Sequence, residues 1–249
     1  MQQRILNWCL LFAVLAALSG CGRLPGKPRE KDRWQPPEAN LNFADLYTTN
    51  CVACHGNGKV PSASISMNNV VYLSVVPKET IRKLIAEGVP GTMMPGYSAA
   101  VGGLLTDAQI DLLADGIHNG PAAQARAESD HPPYAAPPGD ARRGTDVYAQ
   151  YCAQCHGNGG TGGKAGSVVD PAYLSLVSDQ YLRTVVIAGR PELGMPSYKE
   201  YVSGKPMTAE EIADVVGWLS SHREGPAPGR PAPQAAAAAS TQTSDSNQQ

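Results

Sequence analysis

The sequence reads CVACH at residues 51–55 and CAQCH at residues 152–156. The second stretch lies 101 residues after the first, and the same shift aligns other residues along both halves of the chain. These further matches are Tyr47 with Tyr148, Arg82 with Arg183, Gly88 with Gly189, Met94 with Met195, and Tyr97 with Tyr198. A fixed period of this kind is the signature of an internal repeat. We therefore predict a tandem duplication, with one unit at residues 41–120 and the other at residues 140–224.

Both stretches have the form Cys-x-x-Cys-His, which is the attachment pattern of c-type haem. Two residues between the cysteines let one helical turn present both sulfurs to the two haem vinyl groups. The adjacent histidine can then bind the iron through its Nε2 atom. Two covalent c-type haems are therefore predicted. The attachment residues are Cys51, Cys54, Cys152 and Cys155, and the histidine ligands are His55 and His156.

Paired cysteines are also compatible with other chemistry. A thioredoxin-like redox pair needs a surrounding βαβ pattern, and the sequence contains none. A structural zinc site needs four ligands in a closed geometry, which two Cys-x-x-Cys-His triplets could supply only by coming together from separate units. In an exported chain, close cysteine pairs can also form disulfides. The histidine directly after each pair favours haem over these alternatives.

A methionine lies 39 residues beyond each ligand histidine, and proline follows it. Met94 and Met195 are therefore the candidate sixth ligands of the two irons. A methionine on a glycine-rich loop is more often a core residue than a ligand, but the matched spacing reverses that expectation. Met93 is a rival in the first unit, although it aligns with Gly194. His118, His131 and His222 are alternative iron ligands to methionine, but they have no partners in the repeat and are expected to face solvent.

The sequence predicts an all-α fold of short helices joined by glycine-rich loops. In each unit a first helix runs into the cysteine pair (43–50 and 141–151), and a middle helix ends before a glycine (78–87 and 179–188). The last helix of each unit begins with a capping box. The residues of these boxes are Thr106 with Gln109 and Thr208 with Glu211. No convincing strand pattern is present.

The N-terminus resembles an export signal. Residues 1–20 combine a weakly basic start with a short apolar run that fits the core of a signal peptide. Leu18-Ser19-Gly20-Cys21 resembles the processing box of bacterial lipoproteins, so Cys21 is the predicted lipidation site. The alternative is an ordinary secretory signal that happens to contain a cysteine. An acylated Cys21 would anchor the exported protein to a membrane on the periplasmic side.

Three further segments are predicted to lack a core of their own. Residues 21–40 form a tether, residues 121–139 form a proline-rich linker, and residues 225–249 form a disordered tail. The formal net charge is −2, which gives no reason to expect a nucleic-acid partner. Gly and Pro together contribute 47 of 249 residues and there are only two Phe, so a core without a prosthetic group would be thin.

Both units resemble class I cytochrome c domains, and the whole chain resembles bacterial dihaem c-type cytochromes of the lipoprotein kind. The resemblance rests on the paired CxxCH and Met-Pro motifs and covers about two thirds of the chain. It implies two haem-wrapping helical domains and an electron-carrier role in a respiratory or photosynthetic chain. A quinol-oxidising complex of the cytochrome bc type is then the implied donor, and a terminal oxidase or reductase the implied acceptor.

In this family a small residue on the first helix packs against an aromatic residue on the last. Gly144 and Trp218 fit that pattern, whereas the matching pair in the first unit is reversed, with Phe43 and Gly116. We therefore predict that Phe43 packs over Gly116 and Trp218 over Gly144, which roughly preserves the volume at each crossing. The backbone carbonyl that orients the ligand histidine in the family cannot be placed from the sequence.

The repeat also predicts secondary contacts to the haem. Arg82 and Arg183 are candidates to neutralise haem propionates, with a solvated helix face as the alternative. Tyr97 and Tyr198, three residues past the methionines, are expected to line the haem pockets, and the same is suggested for the tyrosines at positions 72 and 173.

Two rival functions remain open from the sequence. One is an enzyme, such as a dihaem peroxidase or the cytochrome subunit of a periplasmic dehydrogenase. The other is a gas-binding sensor in which a weak methionine ligand yields to the gas. Methionine at both matched positions fills the iron coordination shell and therefore favours electron transfer over both rivals.

Overall fold

The computed structural model of the chain describes residues 32–58, 62–120 and 131–225. The predicted signal peptide, the lipidation site Cys21 and most of the tether lie outside the described residues. The first part of the linker and nearly all of the predicted tail lie outside them as well. The chain divides into one unit that ends at Asn40 and a second that begins at Leu41. The described part of the first unit includes the 3-10 turn Pro37–Ala39.

Ten α-helices lie in the described part of the chain, five in each repeat. Those of repeat 1 are α1 (Phe43–Asn50), α2 (Val52–His55), α3 (Val70–Val75), α4 (Lys78–Glu87) and α5 (Asp107–His118). Those of repeat 2 are α6 (Ala141–Tyr151), α7 (Ala153–His156), α8 (Pro171–Leu176), α9 (Asp179–Ala188) and α10 (Ala209–Ser221).

The predicted all-α class is confirmed. Extended pairing among the described residues is limited to two isolated bridges, Ser98 with Leu105 and Arg190 with Met195. Within the same residues, no helix is long and apolar enough to cross a bilayer.

The helix boundaries follow from local capping chemistry. Both predicted capping boxes are present, because the side chain of Thr106 accepts from the Gln109 amide while the Gln109 side chain accepts from the Thr106 amide, and α10 repeats this arrangement. Gly88 and Gly189 end α4 and α9 at φ values of 70° and 66°. A Cβ atom at Gly88 would lie 2.6 Å from the Met94 carbonyl oxygen, and one at Gly189 would lie 2.7 Å from that of Met195. Glycine therefore both ends each helix and admits the methionine loop.

Two helices were not predicted from the sequence. α3 and α8 span six residues each, which is too short for a hydrophobic period to stand out. Their side-chain caps are regular: Asn69 accepts from the Tyr72 amide, and Asp170 accepts from the Tyr173 amide at 2.9 Å.

Each repeat has its own apolar core in which the first and last helices cross. The predicted exchange of large and small residues is confirmed. A Cβ at Gly116 would run into the ring of Phe43, and a Cβ at Gly144 would lie 2.6 Å from the Cβ of Trp218. Trp218 also stacks on Tyr148 with ring centroids 4.1 Å apart. The aromatic residue at the crossing therefore comes from the first helix in repeat 1 and from the last helix in repeat 2.

The repeats also pack against each other. Val71 and Val75 of α3 contact the core of repeat 2, while Ala188 at the end of α9 is buried in the core of repeat 1. The described part of the linker is bonded to α9, because the carbonyl oxygen of Tyr134 accepts hydrogen bonds from the side chains of Gln180 and Arg183. The domain boundaries given above stay a prediction.

The helix crossings generate a stability prediction. A Cβ at Gly144 meets the backbone of Asp214 as well as the Cβ of Trp218, whereas the three atoms nearest to a Cβ at Gly116 all belong to the Phe43 ring. Backbone cannot rotate away, so Gly144→Ala is expected to destabilise the protein by about 1–3 kcal/mol, and Gly116→Ala by less. Urea unfolding of the haem-loaded protein measures both changes. Thr145→Ala, at an exposed position of the same helix, is the control. An equal or larger loss for Gly116→Ala would contradict the difference between the crossings.

Candidate functional site

Each Cys-x-x-Cys-His motif forms a single helical turn. Cys51 ends α1 and begins α2: its amide donates to the Tyr47 carbonyl at 2.8 Å, and its carbonyl accepts from the His55 amide at 2.9 Å. Cys152 does the same between α6 and α7, with distances of 2.9 and 3.0 Å. The turn expected from the spacing is therefore present twice.

Both candidate ligand histidines are oriented by a backbone carbonyl. The Nδ1 atom of His55 lies 2.8 Å from the carbonyl oxygen of Ile65, and Nδ1 of His156 lies 3.0 Å from that of Gly166. A carbonyl only accepts, so each Nδ1 carries the proton and each Nε2 keeps its lone pair for a metal. Burial lowers the pKa of His55, the bond to Ile65 raises it, and the charge of Arg190 lowers it further. The neutral, ligating form of His55 is thereby favoured.

These two carbonyls are the functional groups that the sequence did not place. Ile65 and Gly166 stand 101 residues apart, as the motifs do. A backbone carbonyl has no residue signature, and neither position is a proline. Only the repeat offset could have marked the two positions as equivalent.

The loop that carries each carbonyl is fixed to its own motif. The amide of Ser64 donates to the Cys54 carbonyl at 2.9 Å, and Ala165 donates to Cys155 at 3.0 Å. On the other side of the turn, the hydroxyl of Tyr47 donates to the Gly56 carbonyl at 3.0 Å. The Tyr148 hydroxyl makes the corresponding bond at 2.7 Å. The motif and its loop therefore form one rigid unit in each repeat.

The first thiol of each cysteine pair lacks the lowered pKa of a redox-active cysteine. The described cysteines form no disulfide. Burial raises the pKa of Cys51 to about 11, with a smaller contribution from Cys54, and raises that of Cys152 to about 12. A catalytic Cys-x-x-Cys pair has a lowered pKa that exposes a thiolate, which is the opposite shift. These thiols are instead placed as protonated side chains on a helical turn.

The candidate methionines lie on loops that return to the end of the middle helix. The carbonyl of Met94 accepts from the Val89 amide at 3.0 Å, and that of Met195 accepts from the Arg190 amide at 2.9 Å. Met94 and Met195 are half-buried, whereas 80% of the rival Met93 is exposed. The exposure favours Met94 over Met93, and iron ligation by either methionine remains to be tested.

The tyrosines break the repeat symmetry. The Tyr97 hydroxyl donates to the carbonyl of Asn50 at 2.7 Å, which brings the methionine loop beside the cysteine turn. Burial raises the pKa of Tyr97, as do the nearby Cys51 and Cys54 thiols. In repeat 2 the hydroxyl of Tyr198 instead lies 3.2 Å from Nδ1 of His131.

Tyr201 takes the position beside the cysteines of repeat 2. Burial raises its pKa, and the Cys152 and Cys155 thiols raise it further. This residue was missed because it aligns with Ala100 and so has no partner in the repeat. The pocket-lining role of Tyr97 and Tyr198 stays a prediction, to which Tyr201 is added. The tyrosines at positions 72 and 173 are buried and half-buried, respectively.

Arg82 forms ion pairs on the surface. Its side chain is 40% exposed and contacts Asp111 at 2.5 Å and Asp107 at 3.1 Å, both on α5. This geometry corresponds to the alternative of a solvated helix face. Its predicted role toward a propionate gains no support from these contacts.

Arg183 is buried and anchors the linker. Its guanidinium donates to the carbonyls of Pro133, at 2.8 Å from Nη2, and Tyr134, at 3.2 Å from Nε. The Nη1 atom is buried without a hydrogen-bond partner, so one donor is left for an acidic group that a cofactor would bring. The predicted propionate contact of Arg183 stays a prediction.

The remaining histidines differ in exposure. His118 and His131 are half-buried, whereas His222 is exposed. Nδ1 of His222 lies 2.8 Å from the Trp218 carbonyl oxygen, and His131 contacts Tyr198. The expectation of solvent-facing side chains holds for His222, whereas His118 and His131 face solvent only in part because contacts to Asn119 and Tyr198 hold their rings.

The donor groups fit a covalent haem better than a bare metal ion. Within the described residues, no three His, Cys, Asp or Glu side chains converge as a metal-binding group. The zinc alternative, shared between residues 51–55 and 152–156, therefore has no geometric support. Each repeat instead offers two thiols on one helical turn and a histidine whose free Nε2 suits an iron held by a porphyrin.

Comparisons with known proteins agree with this donor set. The curated relatives include the cytochrome bc1 complex cytochrome c subunit of Corynebacterium diphtheriae, 27% identical over 74% of this chain and 67% of that protein. They also include the cbb3-type cytochrome c oxidase subunit CcoP of an Azospirillum species, 30% identical over 55% of this chain. This chain spans about half the length of that oxidase subunit, 47%.

A solved structure, the Kuenenia stuttgartiensis reducing HAO-like protein complex, is 16% identical over 81% of this chain and 100% of that chain. Its TM-score of 0.42 is too low to bear on the fold. The family described as cytochrome C oxidase, cbb3-type, subunit III matches residues 38–115 and again residues 139–219. The chain therefore belongs to this family of cytochrome c domains, whose members bind covalent c-type haem, and it contains the domain twice.

Proposed function

We propose that this protein is a dihaem c-type cytochrome that transfers single electrons between membrane-associated redox partners. The observation that carries the proposal is the duplicated site, in which a Cys-x-x-Cys-His turn is joined to a carbonyl that fixes the histidine. Both copies agree within 0.2 Å in the Nδ1–carbonyl distance, 2.8 Å against 3.0 Å. Agreement at two positions 101 residues apart supports one chemistry performed twice.

The proposed roles follow from the donor groups. The paired cysteines would form thioether bonds, and His55 and His156 would bind iron through Nε2. Met94 and Met195 would complete the coordination. When bound, each haem iron supplies one-electron chemistry by cycling between its ferrous and ferric states. The protein's contribution is to fix the ligands and to exclude water around them.

The names of the relatives support respiratory complexes as partners. One relative is a subunit of a cytochrome bc1 complex and another is a subunit of a cbb3-type oxidase. We propose a quinol-oxidising complex as electron donor and a terminal oxidase or reductase as acceptor. We also propose that the protein is exported and held at the membrane by acylation of Cys21, on the strength of the Leu-Ser-Gly-Cys sequence at residues 18–21.

Removing one cysteine pair tests whether each repeat holds its own haem. We predict that Cys51→Ala/Cys54→Ala keeps half of the covalent haem, and that Cys152→Ala/Cys155→Ala keeps the other half. The readout is haem absorbance per protein together with haem staining of the denatured chain. If either double variant kept the full haem content, the assignment of one haem to each repeat would be wrong.

Replacing Met94 tests the sixth ligand. Met94→His changes His/Met to bis-His ligation, which lowers the reduction potential of the iron. One of the two one-electron waves in a redox measurement is therefore expected to shift to a lower potential. The absorption band of the methionine–iron bond is expected to fall to about half, because one of the two sites loses its sulfur ligand. Met93→Leu is the control and should change neither quantity. A loss of the band in Met93→Leu would transfer the ligand role to Met93.

The same preparation distinguishes electron transfer from the rival functions. A six-coordinate protein with methionine at both irons is not expected to bind carbon monoxide when reduced. Binding by the unaltered protein would instead favour a sensor or a peroxidase.

Replacing Cys21 tests the anchor. Cys21→Ser is predicted to release the protein from the membrane fraction, because the acyl chains that hold it there can no longer be attached. Fractionation of cells with a haem stain measures this change, and Cys9→Ser is the matched control. Equal retention of Cys21→Ser and the unaltered protein would rule out the lipid anchor.

A further inference from the structure

The two repeats meet through unlike surfaces. α3 of repeat 1 packs against α9 of repeat 2. The buried Asn69, which caps α3, donates from Nδ2 to the carbonyls of Ala188 and Gly189, at 3.2 and 3.3 Å. Since those carbonyls end α9, one amide side chain caps a helix in each repeat. The contact joins the start of α3 to the end of α9, and Arg190 is the residue that follows Gly189.

The side chain of Arg190 crosses from repeat 2 to repeat 1. Its Nη2 atom donates to the carbonyl of Ser62 at 2.6 Å, and its Nε atom donates to Glu192 at 2.5 Å. Only 8% of the Arg190 side chain is exposed, so the ion pair lies in an environment of low dielectric. A charge-assisted bond of this kind is stronger than one between neutral groups.

On the repeat 1 side, Arg190 contacts the histidine loop, which we define as residues 62–65. Ser62 donates from its hydroxyl to the Ser64 carbonyl at 2.7 Å, and the Ser64 amide donates to Cys54 at 2.9 Å. The loop ends at Ile65, whose carbonyl orients His55. The guanidinium therefore holds the loop that sets the histidine ligand.

On the repeat 2 side, Arg190 begins the methionine loop, which we define as residues 190–195. Its amide donates to the Met195 carbonyl at 2.9 Å, and its carbonyl accepts from the Met195 amide at 3.0 Å. These two bonds close the loop around the turn Pro191–Leu193. The backbone of Arg190 thus positions the candidate methionine ligand of repeat 2.

The repeat shows that this arrangement is specific to one position. The residue that matches Arg190 in repeat 1 is Val89, and the residue that matches Ser62 is Gly163. Val89 keeps the amide bond to the Met94 carbonyl at 3.0 Å, but the Met94 amide turns to Thr92. Both repeats therefore have the amide bond to the methionine carbonyl, whereas of these two matched positions Arg190 alone carries a guanidinium that reaches the other repeat.

We propose that Arg190 is a positioning residue that fixes the methionine loop of repeat 2 against the histidine loop of repeat 1, so that the two haem sites form one coupled unit. This inference rests on the proposed dihaem function. The backbone of Arg190 closes the methionine loop, and its guanidinium donates to the histidine loop. Disturbing this one side chain is therefore expected to change both sites, although it is a predicted ligand of neither.

Hydrogen–deuterium exchange of the haem-loaded protein tests the mechanical part. In Arg190→Gln we expect exchange to rise by roughly tenfold in peptides covering both the histidine loop and the methionine loop, since a buried charged donor is lost. Arg142→Gln is the matched control, because it removes the same charge from an exposed position of α6. Exchange confined to the methionine loop, or equal in both variants, would overturn the proposal.

The reduction potentials test the electrostatic part. A buried positive charge disfavours the more positive, oxidised state of a nearby iron, so Arg190→Gln should lower the potential of the repeat 1 site. Glu192→Gln leaves Arg190 charged and unneutralised, and it should raise the same potential. The wave that moves in Met94→His identifies the repeat 1 site. Shifts of the same sign in both variants, or no shift, would contradict the proposal.

The two proposals fail in different ways. A chain without covalent haem would contradict the dihaem function itself. A chain with two haems and two waves, in which Arg190→Gln and Glu192→Gln change neither potentials nor exchange, would contradict only the role of Arg190. If Arg190→Gln does not accumulate as folded protein, Glu192→Gln gives the potential test by itself.

Discussion

The hydrogen bond between each candidate ligand histidine and a backbone carbonyl is the constraint on which the site depends. Because a carbonyl cannot donate, the bond places the proton on Nδ1 and leaves Nε2 available to iron. The carbonyl itself is held by the loop bond to the second cysteine of the motif, Ser64 to Cys54 in repeat 1 and Ala165 to Cys155 in repeat 2. These bonds hold the thiols, the histidine and the loop together, and the rest of each repeat is a helical frame around this arrangement.

The duplication preserves the sites and changes what surrounds them. The helix crossing is filled by an aromatic residue in both repeats, from the first helix at Phe43 and from the last at Trp218, because close packing requires the volume and not a particular residue. The contact between the repeats uses residues that are not repeated, since the counterpart of Arg190 is a valine. Two similar sites placed in unlike surroundings would give the two proposed haems different reduction potentials.

The sequence was sufficient where structure depends on local chemistry. The first and middle helices of each repeat have the predicted bounds, and the last helices begin at the predicted capping boxes, because caps and glycines act locally. The sequence was insufficient where the structure depends on short segments or on contacts between distant parts of the chain. α3 and α8 are too short for a period, the carbonyl of Ile65 has no residue signature, and the environments of Arg183 and Tyr201 arise from segments distant in sequence. The offset of 101 residues identifies only residues that both repeats share. Arg190 was missed because its counterpart in repeat 1 is a valine.

Mass spectrometry of the denatured mature protein, made with a working haem-attachment system, tests the central claim most directly. Denaturation removes every haem that is merely coordinated and leaves every haem that is joined through thioether bonds. We predict that the chain keeps the mass of two haem groups under these conditions. A denatured chain that carries one haem or none would contradict the assignment of both Cys-x-x-Cys-His turns as haem-attachment sites.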